Sequence, residues 1–490
     1  MQRSKAEGEE GARALGQGGT INADICIIGA GSGGLSVAAS TVLLGLKVVL
    51  IEKHLMGGDC LNTGCVPSKA LIAAARRAHD MRTASQFGIA SVEPQVDAAA
   101  VNDHIRSVIA SIARNDSVER FTGMGVEVIQ APARFRDKNT VEAGDALIKA
   151  HRFVIATGSS PDVPAIPGLD KVPYLTNESL FDLRQPVGHL VVIGGGAVGM
   201  ELAQAYLRFG AQVTVLEGLK ALGHDDPELS DVVLKHVCAE GLVVREGVRV
   251  ERVSGWPGAV QVAIAAPEGL ETVEGTHLLI AAGRKPNVQD LNLEAAGIKY
   301  DKRGIMVGAG LVTSNRKVFA IGDVIGGQQF THVANYHAGI VFRRALFRLP
   351  AKVRSELIPW VTFTDPELAQ VGLTEDQARQ KHGTIQVFRW PYHENDRAQT
   401  ERATGGFVKV VTDRKGTVLG AGIVGREAGE LIHIWSLAIS QGMKITAMTQ
   451  WIAPYPTLGE ISKRAAMGTY ALSAGKPLVR KVVGLLRKLG

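Results

Sequence analysis

The sequence predicts an α/β chain with two Rossmann-like nucleotide-binding units and a following α+β domain. Three observations predict it. A strand, Gly-rich turn, helix, strand pattern occurs twice. Each copy ends its second strand on an acidic residue. From Pro359 onward, strand-like runs alternate with helices in a different rhythm.

A length of 490 residues leads us to expect two to four domains. With 46% hydrophobic and 21% charged residues the chain can bury sizeable cores, which excludes a disordered protein. The 57 glycines have no collagen-like period and point to tight turns and close backbone approaches. A net charge of +6 on so long a chain suits anionic ligands such as dinucleotides and is weak support for nucleic acid, of which no binding signature is found.

In chain order, Met1 to Asn22 carries charges and Gly where a signal peptide needs an apolar stretch, so a disordered tail is expected there. Asp24 to Ile28 reads as a strand, Gly29-Ala-Gly31-Ser-Gly-Gly34 as a turn, Leu35 to Leu44 as a helix and Lys47 to Ile51 as the next strand. Asn102 to Phe121 reads as one long polar helix, and Pro161 to Pro173 as a Pro-rich connector. The pattern then returns. Leu190 to Ile193 is the strand, Gly194-Gly-Gly196-Ala-Val-Gly199 the turn, Met200 to Phe209 the helix and Gln212 to Leu216 the second strand. After Gly283 the chain changes character, with strands expected at Gly406 to Val411 and Val418 to Val424 and a helix at Ala428 to Gln441.

A lone G-x-G-x-x-G is weak. Here both copies have the strand–turn–helix context, and both place an acid, Glu52 and Glu217, 18 residues after the last motif Gly. In such a turn the first Gly makes the bend, the second lets a pyrophosphate approach the backbone, and the third lets helix pack on strand. The helix N-terminus offers N–H groups and partial positive charge to phosphate, and the acid can accept ribose hydroxyls. Two dinucleotide-binding domains are therefore expected. Glu217 would repel a 2′-phosphate and Gly218-Leu219 supplies no Arg to receive one, which favours NADH over NADPH, with Lys220 the nearby cation.

Cys26, Cys60, Cys65 and Cys238 are the four cysteines, too few for a disulfide framework. Cys60 and Cys65 stand five apart in Gly57-Gly-Asp-Cys60-Leu-Asn-Thr-Gly-Cys65-Val-Pro-Ser-Lys69. Closing so short a loop stabilises a fold by only about 2 kcal/mol, so a structural staple is a weak reading. A zinc site wants two more soft ligands, and the chain has no C-x-x-C. A reversible dithiol/disulfide fits best. Cys26, in a strand, and Cys238, in a helical stretch, are expected to be buried small apolar residues. No apolar run reaches the length of a transmembrane helix, and a cytoplasmic protein without metal is expected.

These motifs resemble the flavin-dependent pyridine nucleotide–disulfide oxidoreductases, a family that includes dihydrolipoamide dehydrogenase, glutathione reductase and mercuric reductase. The resemblance spans Ala23 to about Leu472, and Gly57 to Lys69 is its most specific part, closest to the lipoamide dehydrogenase and mercuric reductase branch. It implies an FAD-binding domain at 23–165 with a return segment at 284–352, an NAD(P)H-binding domain at 166–283, and a dimer-interface domain at 353–472, hence a homodimer. It implies FAD contacts from Gly29, Gly31, Gly34, Glu52, Lys53, Gly58, Lys69, Ala156-Thr157-Gly158 and Gly322-Asp323. Gly194, Gly196, Gly199, Glu217, Gly283 and Arg284 are implied for NAD. Cys60 resembles the interchange thiol that attacks the substrate, and Cys65 the thiol lying against the flavin. Lys69 resembles the lysine near flavin N5, with Glu201 as its partner. The implied reaction passes electrons from NAD(P)H through flavin and the Cys60–Cys65 disulfide to a small-molecule or protein disulfide.

The sequence departs from the family near its C-terminal motif. Tyr455 stands in Pro454-Tyr-Pro456-Thr-Leu-Gly-Glu460 where lipoamide dehydrogenases and glutathione reductases carry His, while Glu460 keeps the family spacing. Free His titrates near pH 6.5; free Tyr, with a pKa of about 10, is roughly one part in a thousand ionised at pH 7 and is a poor proton shuttle. Mercuric reductases place Tyr here but also carry a vicinal cysteine pair near the C-terminus, and no cysteine follows Cys238, which disfavours mercury chemistry. A non-disulfide acceptor (metal ion, quinone or oxygen) and a low-turnover redox sensor are the alternative readings. His332, His337 and His393 are candidate replacement bases, and packing or surface roles are the plainer reading of each. Asn395-Asp-Arg397-Ala398 resembles a loop of the mercuric-reductase-like group. Within 473–490, Leu478, Val482, Leu485, Leu486 and Leu489 recur at helical spacing beside Lys476, Arg480, Lys481, Arg487 and Lys488. Such a helix lies on an anionic membrane, binds a partner, or packs on its own dimer.

Overall fold

The computed structural model describes residues 19–267, 269–474 and 477–488. It is α/β, as the sequence predicts, and divides into two compact units. The first comprises residues 19–58, Ala113–Ser159 and Pro286–Val353; the second comprises Asp59–Ile112, Ser160–Lys285 and the chain from Arg354.

The first unit is built on one seven-stranded sheet. Its parallel part runs Glu127–Gln130, Val48–Glu52, Thr20–Ile28 and Ala146–Ile155, with Val318–Ala320 also parallel to Ala146–Ile155. An antiparallel meander, Thr140–Ala143 and Ala133–Asp137, extends the sheet. The central strands are apolar on both sides because both faces are covered. Ile25, Ile27 and Leu50 enter one core with Leu35 and Ile340. Cys26, Ile28 and Val49 enter another with Phe135 and Phe153. The first strand begins at Thr20, so Thr20, Ile21 and Asn22 are not tail: they continue the ladder against Leu147, Ile148 and Lys149. The rest of the expected tail, residues 1–18, lies outside the described residues.

The second unit holds three larger sheets. A four-stranded parallel sheet runs Val243–Glu246, Gln212–Glu217, His189–Ile193, His277–Ile280. A three-stranded antiparallel sheet, Arg249–Trp256, Ala259–Ala266 and Gly269–Gly275, covers one of its faces through Val191, Leu216, Val260 and Val262. A five-stranded antiparallel sheet runs Pro359–Thr362, Glu367–Gly372, Val418–Gly425, Phe407–Asp413, Ile385–Pro391. It packs on Trp435, Ile461 and Ala465 from the helices His433–Ser440 and Glu460–Ala474.

Two helix expectations need correction. The long helix at Asn102 to Phe121 is two helices, Ala98–Ala113 and Val118–Gly123, because Ser117 turns extended and its side chain accepts the Arg120 N–H as an N-cap. The helix at Ala428 to Gln441 is likewise divided at Ile432 into Ala428–Leu431 and His433–Ser440. Residues Asp59–Ile112 pack within the second unit. Small residues explain it: Ala70, Leu71 and Ala75 of the helix Cys65–Thr83 share a core with Met200, Ala203 and Tyr206 of the helix Ala197–Arg208.

Candidate functional site

The duplicated turns are built alike. In the first unit Gly29 has φ +104° and a Cβ there would lie 2.3 Å from the Ala156 carbonyl oxygen. In the second, Gly194 has φ +113° and the same distance separates its Cβ position from the Ala281 oxygen. A Cβ on Gly34 or Gly199 would strike the Gly29 or Gly194 oxygen, so helix and strand approach only through glycine. Gly31 and Gly196 differ. Both are extended N-caps, and a Cβ on Gly196 meets nothing within 4 Å while one on Gly31 only touches Gly58 Cα at 4.0 Å. Neither helix has a side-chain cap or an acidic residue in its first turn, so its N–H groups and positive end face a cradle a Cβ would fill. These residues fit a pyrophosphate.

The two acids brace these turns identically. Glu52 accepts the Ala30 N–H at 2.7 Å and the His54 N–H at 2.8 Å, one on each oxygen. Glu217 accepts those of Gly195 and Leu219, both at 2.8 Å. A carboxylate has further lone pairs, so each keeps capacity for ribose hydroxyls. Lys220 is held by Glu246 at 2.7 Å. Lys53 is exposed.

Around the first turn, Ala156 N–H donates to the Ile28 oxygen. Thr157 and Asn287 bond each other in both directions, at 2.8 and 2.9 Å. Gly158 O accepts the Asn287 N–H. The Ser159 hydroxyl donates to Asp323 at 2.6 Å. The Gly322 N–H donates to His337 Nδ1 at 3.2 Å, and burial pushes His337 down to about 4, so the ring is a neutral acceptor rather than a proton carrier near pH 7. Gly57 N–H bonds the Ala30 oxygen, and a Cβ on Gly58 would strike Gly31. The cysteine segment thus leaves directly from the first turn.

In the second unit Cys60 is half-buried in the short helix Gly58–Asn62, and Cys65 is exposed as the first residue of Cys65–Thr83. Gly64 caps that helix with no side-chain bond and no acid follows in the first turn, which favours negative charge at the Cys65 sulfur. Pro67 sits where a missing N–H is harmless. Asp59, next to Cys60, fixes the loop. It accepts from Thr63 at 2.8 Å, from Asn177 at 3.1 Å and from Arg284 at 3.1 Å. Arg284, expected at the NAD site, pairs with Asp59 of the cysteine loop. Gly283 has φ +127° and its oxygen accepts the Asp162 N–H. One turn along from Cys65, Lys69 bonds Glu201 at 2.7 Å and lies 4.5 Å over the Phe363 ring. Glu201 is buried, and its other oxygen accepts the Phe363 N–H at 2.8 Å.

Tyr455 is exposed and donates to Asp396 at 2.9 Å; that bond and the carboxylate's charge raise the phenol above its ordinary value. Asn395 Nδ2 donates to the Thr457 oxygen at 3.0 Å, so the 395–398 loop holds the 454–457 segment. Glu460 opens the helix Glu460–Ala474. His393 offers its carbonyl to Gln399, and His332 stacks on Phe330. Cys26 is buried, and burial pushes its thiol up. Cys238, expected to be buried, is exposed, because it faces outward on Pro227–Ala239 while Leu229, Val233 and Val237 take the core positions.

Residues 23–338 match the pyridine nucleotide-disulphide oxidoreductase model and residues 358–466 match that family's dimerisation domain. The chain belongs to this family. It is 36% identical over 91% of its length to a mercuric reductase of Lysinibacillus sphaericus, covering 82% of that protein. It is 35% identical to a dihydrolipoyl dehydrogenase of Geobacillus stearothermophilus over 91% of its length and 96% of the relative. Among solved structures, the HOCl-induced flavoprotein disulfide reductase RclA from Escherichia coli, in a Cu(II) complex, matches with TM-score 0.81 and 28% identity, over 90% of this chain and 98% of that one. LpdA from Mycobacterium tuberculosis matches with TM-score 0.84 and 26% identity, over 91% and 99%.

Within this oxidoreductase fold, sequence reading missed the supporting residues: Asp59 and Asn177 at the cysteine loop, Ser159 beneath Asp323, Phe363 beside Lys69, and Asp396 beneath Tyr455. Asp59 and Asp396 lie inside motifs already singled out, so a signal was present. Asn177 and Phe363 carry none.

Proposed function

We propose that this oxidoreductase uses NAD(P)H, with NADH preferred, to reduce the Cys60–Cys65 disulfide through FAD, and that the resulting dithiol reduces a disulfide acceptor in a homodimer. The carrying observation is the cysteine segment itself: it leaves from the first Gly turn, places Cys65 at an uncapped helix start, and is pinned through Asp59 beside Cys60. The first turn, Glu52, Thr157 and Asp323 would hold FAD; the second turn and Glu217 would hold the nicotinamide dinucleotide. Bound there, FAD supplies two-electron carriage between nicotinamide and disulfide. The net step consumes NADH, one proton and the disulfide and yields NAD⁺ and two thiols.

In the exchange that follows, Cys60 sulfur attacks an acceptor sulfur and releases one thiol. Cys65 sulfur then attacks Cys60, re-forming the disulfide and releasing the second. Lys69, paired with Glu201, places a fixed cation one helical turn from Cys65. Glu217 disfavours a 2′-phosphate, and Lys220 is paired with Glu246. The ratio of kcat/KM for the two nucleotides measures this preference.

A second reading, a thiophilic metal ion as acceptor, is favoured by Tyr455. A raised phenol does not relay protons near pH 7, and a metal ion needs none delivered to it, whereas a leaving thiolate does. The likeness to mercuric reductases and to RclA supports the same reading. The test is NADH oxidation with disulfides and with Hg(II) or Cu(II) as acceptors, in the parent chain and in Cys60→Ser. Loss of turnover with every acceptor in the variant supports dithiol chemistry, and the better acceptor separates the two readings. Undiminished turnover in Cys60→Ser contradicts both.

A further inference from the structure

The helix Pro477–Leu486 plays no part in the reading above, and its composition is sharply divided. Every described residue from 477 to 488 is exposed and none of the helix is buried. At about 3.6 residues per turn, Leu478, Val479, Val482, Val483, Leu485 and Leu486 fall on one side. Arg480, Lys481, Arg487 and Lys488 fall on the other, and no acid occurs between 477 and 488. Leu478 is 72% exposed, Leu485 63% and Leu486 57%, so an unbroken apolar stripe faces water. Such a stripe signals a surface that something covers.

We propose that this helix lies in the interface of an anionic phospholipid membrane. Charge decides between occupants. A second copy of the helix would bring four cations against four, whereas a lipid surface with negative headgroups accepts the stripe in its acyl boundary and the basic side chains, flanking it on both edges, at headgroup level. The segment is too short to cross a bilayer, and no helix among the described residues is long and apolar enough to do so. The helix therefore lies on the surface, and brings the reductase to it.

The experiment uses full-length holoenzyme with vesicles of pure phosphatidylcholine and of phosphatidylcholine with phosphatidylglycerol. The variants are the pair Arg480→Gln, Lys481→Gln and the pair Leu485→Gln, Leu486→Gln. The parent is expected to co-sediment with the anionic vesicles at least tenfold better than with the neutral ones, and less as salt rises. Removing the two charges weakens binding about fivefold per charge. Removing the two leucines weakens it at least as much, and both variants oxidise NADH at the parent rate. Three results overturn the proposal: no binding of the parent to anionic vesicles, equal binding by parent and variants, or a leucine variant that alters oligomer mass while vesicle binding is unchanged.

Discussion

His337 sets an acid limit on the first unit. Its ring is neutral when folded, with its titration pushed from 6.5 to about 4 by burial, and it accepts the Gly322 N–H beside Asp323. The unfolded chain therefore binds more protons between those values. The His337 contribution to stability falls as pH drops from 6.5 towards 4, by at most about 3.4 kcal/mol, and changes no further below. Denaturation of parent and His337→Gln at pH 7 and pH 4.5 checks it: the parent loses more stability, and equal losses contradict the prediction. Lys69 and Glu201 show the cost of a broken pair. Lys69→Met leaves a buried carboxylate with only the Phe363 N–H, and Lys69 is itself about a third exposed, so a loss of about 2 kcal/mol in urea unfolding is expected. Glu201→Gln, which keeps both hydrogen-bonding oxygen and shape, loses less. That pairing was legible in the sequence only through the family motif, because the two residues are 132 positions apart.

At the scale of elements, the turns were readable because their chemistry is local. Strand, glycines, helix and acid lie within one short segment, and the shared φ at Gly29 and Gly194 follows from each first Gly's place in it. Helix limits were less readable. Ser117 ends one helix and caps the next, an effect that apolar periodicity over Asn102 to Phe121 does not register. The Asp59 hub was not readable at all as a hub, since Asn177 is 118 residues away. The duplicated turns make a clean prediction. Gly196→Val adds a side chain where nothing lies within 4 Å of the first atom, so the fold and the yellow FAD content persist while KM for NADH rises at least tenfold. Flavin absorbance together with NADH kinetics reads both. Loss of FAD in this variant, or an unchanged KM, contradicts the assignment of the second turn to the nicotinamide dinucleotide.

For the whole molecule, the proposed function joins two nucleotide-binding turns, one cysteine pair and a matched dimerisation domain into a single electron route. What ties them in that proposal is that two thiols five residues apart change oxidation state together. The decisive measurement is differential alkylation of the holoenzyme, unfolded under a thiol-blocking reagent before and after anaerobic NADH, with mass spectrometry of the Cys60–Cys65 peptide. The predicted result is a peptide two hydrogens lighter and unlabelled before NADH, then doubly labelled after one equivalent, while Cys26 and Cys238 are labelled alike in both samples. A peptide carrying two labels before any NADH is added, or one that remains unlabelled after it, would contradict the dithiol route.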